Sequence, residues 1–275
     1  MIELVIKIGS MALIDKAYND LNYNIFARLS RELRPGYALV SSGATEIGRL
    51  DYIKRNGAEL FDTPESHEIN KTDYAAQGQS VLMQNYRQFI DAKYSIRQIL
   101  VEHQHFNDIK KRKHLRDMLL RCPAQNAIPI INYNDAVSDE ENRKMEIQAL
   151  RDKGKEPVEC VDNDETAAQI AMLLNSKTLL ILTSTDGIYE KADDPSTLVR
   201  SVSASDPAEL VGKVTILQRS CVGANRRDAF GARAKLEYIK QSLKCGIKVI
   251  ISNSAFKLDD ILHDENTRKT EIFVE

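Results

Sequence analysis

Six short runs of apolar, largely β-branched residues punctuate the chain, at residues 3–8, 37–40, 98–101, 128–131, 179–182 and 248–251. A strand with one wet face alternates polar and apolar side chains. Most of these runs are apolar throughout, so helices must cover them on both faces. Between them, residues 24–33, 79–92, 113–120, 165–174 and 231–243 carry apolar positions three and four apart, the spacing of a helix with one buried stripe. The alternation predicts an α/β fold: a three-layer αβα sandwich with a largely parallel central sheet. Ligands of such sheets sit beyond the carboxyl ends of the strands, so chemistry is sought in the residues that follow each strand.

Those residues have a common character. The first strand ends in Lys7-Ile8-Gly9-Ser10, where a glycine lets backbone approach an anion and a lysine supplies charge. The second ends in Ser41-Ser42-Gly43-Ala44 and the fourth in Asn132-Tyr133-Asn134-Asp135. Val161-Asp162-Asn163-Asp164-Glu165 opens a helix, and Thr183-Ser184-Thr185-Asp186-Gly187 closes the fifth strand. Lys235 opens the last predicted helix. Each has an ordinary reading as a turn, a helix cap or a solvated lysine. Together, two lysines, a glycine turn and an acidic cluster make a set suited to phosphoryl transfer.

One stretch breaks the rhythm. Residues 138–159 are highly charged and poor in β-branched residues, as an exposed loop or helical excursion would be; both a solvated surface insertion and a functional lid answer to that description. The balance of charge, 38 Lys+Arg against 40 Asp+Glu, argues against nucleic acid or an acidic membrane as partner. The first residues lack the pattern of a secretory leader, and no apolar run reaches membrane-spanning length. Cys122, Cys160, Cys221 and Cys245 are scattered, without a CxxC pair, which argues for reduced thiols in the cytoplasm and against a disulfide or zinc framework. No set of metal-ligating residues is apparent.

Read in order, these segments resemble the glutamate 5-kinases. KIGS resembles that family's Lys-x-Gly-Thr/Ser motif, SSGA its Ser-Gly-Ala motif, and Ala75–Ser80 (AAQGQS) a Gly-Gln-Ser helix start. IPIINYNDAV, VDNDETAA and LLILTSTDGIY resemble its Asn-Asp segment, its Asp-Asn-Asp helix start and its nucleotide-site strand. The resemblance spans nearly the whole chain and implies an amino-acid kinase fold over residues 1–275, as one domain without the RNA-binding-like C-terminal domain of many members. It implies ATP and Mg²⁺ as cofactors, and phosphorylation of the γ-carboxylate of glutamate on the route to proline. Lys7 and Lys235 would neutralise the transferring phosphoryl group, with Asp164 holding both lysines. Ser42, Asp135 and Asn163 would grip the amino acid, Asp135 facing its α-ammonium. Gly9, Ser10, Thr183, Ser184, Gly231 and Lys235 would lie against the nucleotide. The resemblance further implies a homo-oligomer, feedback inhibition by proline, and a γ-glutamyl phosphate reductase as partner for a labile product.

The chain departs from that family in places. Where the family has Gly-Thr-Gly-Gly-Met before its second lysine, this chain has Asp228-Ala229-Phe230-Gly231-Ala232, with Arg226 and Arg227 upstream. Cβ atoms and a phenyl ring obstruct the backbone approach that glycines permit. The family's Thr-Asp pair is Thr183-Ser184, and residues 138–159 are longer than its usual connection. Asn253 replaces a frequent glycine, for which tolerance of left-handed backbone geometry offers a reason. These changes leave two other functions open: a kinase of another small carboxylate or phosphorylated acceptor, and a non-catalytic regulator that binds a metabolite.

Overall fold

The computed structural model describes residues 1–63, 66–160, 162–191, 194–220 and 226–275, with the side chains of 220 and 226–231 excepted. The elements, in chain order, begin with β1 (Leu4–Ile8), the small hairpin β2 (Ile14–Asp15) and β3 (Asp20–Leu21), α1 (Tyr23–Glu32) and β4 (Tyr37–Ser41). Then come α2 (Ala44–Asn56), α3 (His67–Phe89), β5 (Ser95–Val101), α4 (Gln104–Asn107), α5 (Ile109–Arg121) and β6 (Ala127–Tyr133). The second half holds α6 (Glu140–Asp152), α7 (Asn163–Leu174), β7 (Thr178–Thr183), β8 (Ser201–Ala204) and α8 (Pro207–Ser220). The chain closes with α9 (Arg226–Lys244), β9 (Lys248–Asn253), α10 (Leu258–His263) and β10 (Lys269–Val274).

The main sheet runs β5-β6-β4-β1-β7-β9-β10-β8. The predicted strands correspond to β1, β4, β5, β6, β7 and β9, which are parallel to their neighbours. Only β10 turns antiparallel against β9, with β8 parallel to it at the edge. The period of two in each strand splits the core. Leu4, Ile6 and Ile8 of β1 pack with Ile25, Phe26, Ile47, Leu82 and Tyr86 from α1, α2 and α3. Val5, of opposite parity, packs with Leu115, Ile170, Leu236 and Leu243 from α5, α7 and α9. These are the three layers. Lys7 shares the parity of Val5, so its side chain leaves the sheet toward α7 and α9.

The charged excursion folds as a helix. Asp139 caps α6 by accepting from Asn142 N, and of the helix only Ile147 is buried, so the face toward water is as polar as its composition demands. It is tied down by Glu146, 2.6 Å from His103 Nε2, and by Val158 and Asn107, whose amide side chain exchanges two 2.8 Å hydrogen bonds with that backbone. Cys122, Cys160 and Cys245 are free thiols, and Cys221 lies outside the described residues.

Candidate active site

β1 sits between β4 and β7, and the chain departs to opposite sides of it. At such a switch point the loops leaving neighbouring strands diverge and open a crevice. Register places the residues: Ile8 lies opposite Ser41 on one side and Leu182 on the other, so Gly9, Ser42 and Thr183 emerge level. Ser42 N donates to Ile8 O at 3.1 Å and Gly9 N to Leu182 O at 3.4 Å, binding the three turns together. Lys7, Gly9, Ser10, Ser42, Thr183, Ser184 and Lys235 thereby line one cleft of about 220 Å³. Gly9 is extended (φ −77°), so no backbone strain demands glycine there. A Cβ would stand 3.7 Å from Lys7 Nζ. Its absence keeps that face of the ammonium open to a ligand.

Lys7 is 6% exposed. Its Nζ stands 2.7 Å from Asp164 Oδ1, and Lys235 Nζ stands 3.9 Å from Asp164 Oδ2. Oδ1 has no aligned hydrogen bond, so the contact with Lys7 is ionic in character. Asp164 is fixed from the backbone side: Asp162, the N-cap of α7, accepts from Asp164 N at 2.8 Å and Glu165 N at 2.9 Å. Burial raises the Asp162 carboxyl above its ordinary pKa in spite of these donors. Two ammonium groups against one carboxylate leave the cluster with a net positive charge inside a nearly dry cleft. That is a place for a phosphate chain.

A second hollow of about 230 Å³ adjoins, lined by Ala44, Ala75, Gln79, Tyr133, Asn134 and Asp135 among others. The turn 42–44 serves both, with Ser42 in the cleft and Ala44 in the hollow. Burial pushes the Asp135 carboxyl up to about 6, with the Arg143 guanidinium as the opposing influence. A half-buried carboxylate so poorly compensated is suited to an incoming cation. Asn163 stands in the wall as part of an amide relay. Its Oδ1 accepts from Tyr133 N (3.1 Å), its Nδ2 donates to Asn132 Oδ1 (2.9 Å), and Asn132 Nδ2 donates to Gln79 Oε1 (2.8 Å). Asn134 Nδ2 donates to Glu102 Oε1 at 2.9 Å, anchoring the loop that carries Asp135. Gln79, Glu102 and Arg143 were not apparent as site residues in the sequence. Gln79 alone left a signal, a polar side chain within the Ala75–Ser80 motif.

The state of Asp135 makes a pH dependence measurable. A carboxyl whose folded pKa is raised binds protons more tightly in the native state than in the unfolded chain. Between pH 4 and 6 native stability from this group therefore falls as pH rises, and it stays lost above 6. Asp135→Asn is expected to raise unfolding free energy at pH 7.5 by about 2 kcal/mol, while greatly weakening any cationic ligand. Denaturant titrations of both proteins at pH 4 and pH 7.5 check it: the difference shrinks at pH 4.

Three expectations need correction. Ala75–Ser80 does not start a helix; it lies in the middle of α3. Its glycine is there because α3 crosses α2 backbone against backbone, Gly78 over Gly48 and Ala44. Asn253 does not adopt left-handed geometry; it ends β9. Its amide donates to Asp186 Oδ1 at 2.9 Å and accepts from Ala255 N, so it clips two loops together. The helix containing Lys235 begins at Arg226, so residues 228–231 are the first turns of α9 and not a loop. The side chains of Arg226, Arg227, Asp228, Ala229 and Phe230, and the surroundings of Gly231, lie outside the described residues.

An αβα sandwich with a buried Lys-Asp-Lys cluster at its switch point defines a phosphate-handling α/β protein. The sequence profile of the amino acid kinase family matches residues 3–253, and the chain belongs to that family. The glutamate 5-kinase of Alkaliphilus metalliredigens is 30% identical over 98% of this chain and 95% of its own length. That of Caldanaerobacter subterraneus is 27% identical over 94% of this chain, which spans 64% of that longer relative. Among solved structures, a UMP kinase from Bacillus anthracis superposes with a TM-score of 0.54 over 99% of this chain and 96% of its own, at 14% identity, a likeness of fold. Among the described residues no helix is long and apolar enough to cross a membrane.

Proposed function

We propose that this chain transfers the γ-phosphoryl group of ATP to the γ-carboxylate of L-glutamate, the first step from glutamate toward proline. The observation that carries the reading is the buried Lys7–Asp164–Lys235 cluster directly beside the Asp135 hollow, in a chain similar over its whole length to glutamate 5-kinases. A γ-carboxylate oxygen attacks the γ-phosphorus, the bond to the β–γ bridging oxygen breaks, and ADP leaves. No proton moves, so no general base is needed, and rate comes from alignment and charge.

Residues 1–275 would form one such domain. Lys7 and Lys235 would face the equatorial phosphoryl oxygens, with Asp164 setting the distance between them. Gly9, Ser10, Thr183 and Ser184 would border the nucleotide. Ser42 and the first turn of α2, which has no side-chain cap at Gly43, would offer N–H donors to the attacking carboxylate. Asp135 would hold the α-ammonium, with Asn163 keeping the wall of the hollow in register. Mg²⁺ takes phosphate and water oxygens plus one or two carboxylates. Among the described residues no three acidic, His or Cys side chains converge, so the nucleotide would carry the ion. Asp162 is the carboxylate of the cluster that caps a helix instead of pairing a lysine, and it would be the protein's contribution. Bound there, Mg²⁺ would neutralise phosphate charge. The acyl phosphate hydrolyses readily, so a reductase that takes it over directly is the fitting partner, in the cytoplasm. A homo-oligomer accords with the same resemblance.

ADP release from Mg-ATP, measured with L-glutamate, L-aspartate, N-acetyl-L-glutamate and UMP as acceptors, tests the reading. L-Glutamate is expected to be preferred by a wide margin. Preference for any of the others overturns it. For glutamate, the same assay should show acceptor KM rising as pH falls through about 6, where Asp135 takes a proton, with the KM for ATP unchanged.

A further inference from the structure

L-Glutamate brings three charges, and the site as described so far answers two of them. The γ-carboxylate goes to the phosphoryl cleft and the α-ammonium to Asp135. Lys7 and Lys235 are engaged with Asp164. An α-carboxylate left beside Asp135 without a cation would be repelled by it. The cation that bears on both Asp135 and the Tyr133 hydroxyl, two residues lining the hollow, is Arg143. It comes from the first turns of α6, inside the excursion that lengthens this chain between β6 and α7.

Local structure aims it. The Asp139 cap fixes where α6 starts, and Arg143 N donates to Asp139 O at 3.0 Å. On the far side, Arg143 Nη1 reaches Cys160 O at 3.4 Å, a long and weak bond for a guanidinium. Cys160 itself is in left-handed geometry (φ +55°) immediately before the Asp162 cap. The guanidinium is thus held half-buried between the excursion and the start of α7, over the hollow, with further donors in its planar fork.

We propose that Arg143 binds the α-carboxylate of the acceptor, so that the excursion 138–159 is a specificity element that admits zwitterionic dicarboxylates. The proposal rests on the glutamate reading. It makes a discriminating prediction, because removing the α-carboxylate from the substrate should mimic removing Arg143 from the protein.

The test measures kcat and KM for L-glutamate and for its α-carboxamide, isoglutamine, at saturating Mg-ATP, in the wild type, Arg143→Ala and Arg143→Lys. Arg143→Ala is expected to lower kcat/KM for glutamate by about 30-fold, the worth of a charge-assisted hydrogen-bonded pair, through KM. It should leave isoglutamine and the KM for ATP unchanged, collapsing the preference between the two acceptors. Arg143→Lys should restore part of it. If Arg143 serves only to support Cys160, both acceptors lose equally, and the proposal falls. It falls also if neither is affected. Should the alanine variant not fold, the lysine variant carries the same comparison, since a point charge without the fork loses part of the preference only if the guanidinium touches the carboxylate. A wild type that turns over neither acceptor sinks the glutamate reading and this proposal with it. A wild type that turns over glutamate with the preference intact in the variants sinks Arg143 alone.

Discussion

Lys7→Met is expected to lower kcat by about three orders of magnitude, the scale reached when a preorganised group facing developing charge is removed from a water-poor site. Methionine keeps the length and the apolar stem, so the change isolates the ammonium. Lys7 lies at the end of the central strand, 6% exposed, and its parity delivers Nζ to the α7–α9 side, where Asp164 waits at 2.7 Å. Without it Asp164 retains Lys235 at 3.9 Å, and the cleft changes from net positive to neutral. Breaking a buried pair also destabilises, by about 3 kcal/mol, so the melting temperature must be followed beside the rate. Single-turnover measurements below the melting transition separate the two: a folded variant that binds Mg-ATP yet transfers slowly is the expected result. A folded variant within ten-fold of wild type would remove Lys7 from the chemistry.

The second large effect is one of packing. Gly78→Ala should destabilise the fold by about 3 kcal/mol or more, lowering the melting temperature by roughly 10 °C. A Cβ at Gly78 would overlap the Ala44 carbonyl oxygen and stand 2.8 Å from Gly48 Cα, and a Cβ at Gly48 would overlap Tyr74 O. These are backbone atoms of two long helices, so no rotamer can relieve the clash; the helices must part. Ala44 opens α2 and lines the acceptor hollow, so the same shift should raise acceptor KM in whatever protein remains folded. Gly212→Ala in α8 is the control. Nothing lies within 4 Å of its Cβ position, and helix propensity predicts stabilisation of about 0.5–1 kcal/mol. Thermal denaturation of the two variants should give opposite signs. A Gly78→Ala protein as stable as wild type would mean that the crossing is looser than described.

The strands that surround the site were legible because each is buried on both faces and so carries no polar interruption. The predicted bounds of β1, β4, β6, β7 and β9 differ from the observed ones by a few residues at most. β8 and β10 were missed: as edge elements, with partly exposed faces in SVSA and KTEIFV, they mix polar and apolar residues. Helix α2 was missed because what it buries, Ala44, Ile47, Gly48 and Leu50, includes a glycine and an alanine that periodicity does not weight. In the site, Lys7, Asp164 and Lys235 carried a signal as strand-end and helix-start residues. Arg143 and Glu102 carried none, since an arginine in a charged helix and a glutamate after a strand look solvated until the fold sets them beside Asp135 and Asn134. The glycine of Ala75–Ser80 was noticed but placed wrongly, because a helix start and a helix crossing both demand glycine, and only the partner helix tells them apart.

The account rests on transfer to a carboxylate at the Lys7–Asp164–Lys235 cluster. The most direct measurement is hydroxylamine trapping of acyl phosphate in the presence of Mg-ATP and L-glutamate, with the wild type beside Lys7→Met and Asp164→Asn. γ-Glutamyl hydroxamate formed in step with ADP by the wild type, and lost in both variants, is the predicted result. ADP released without hydroxamate, or hydroxamate formed equally well by the variants, would contradict it.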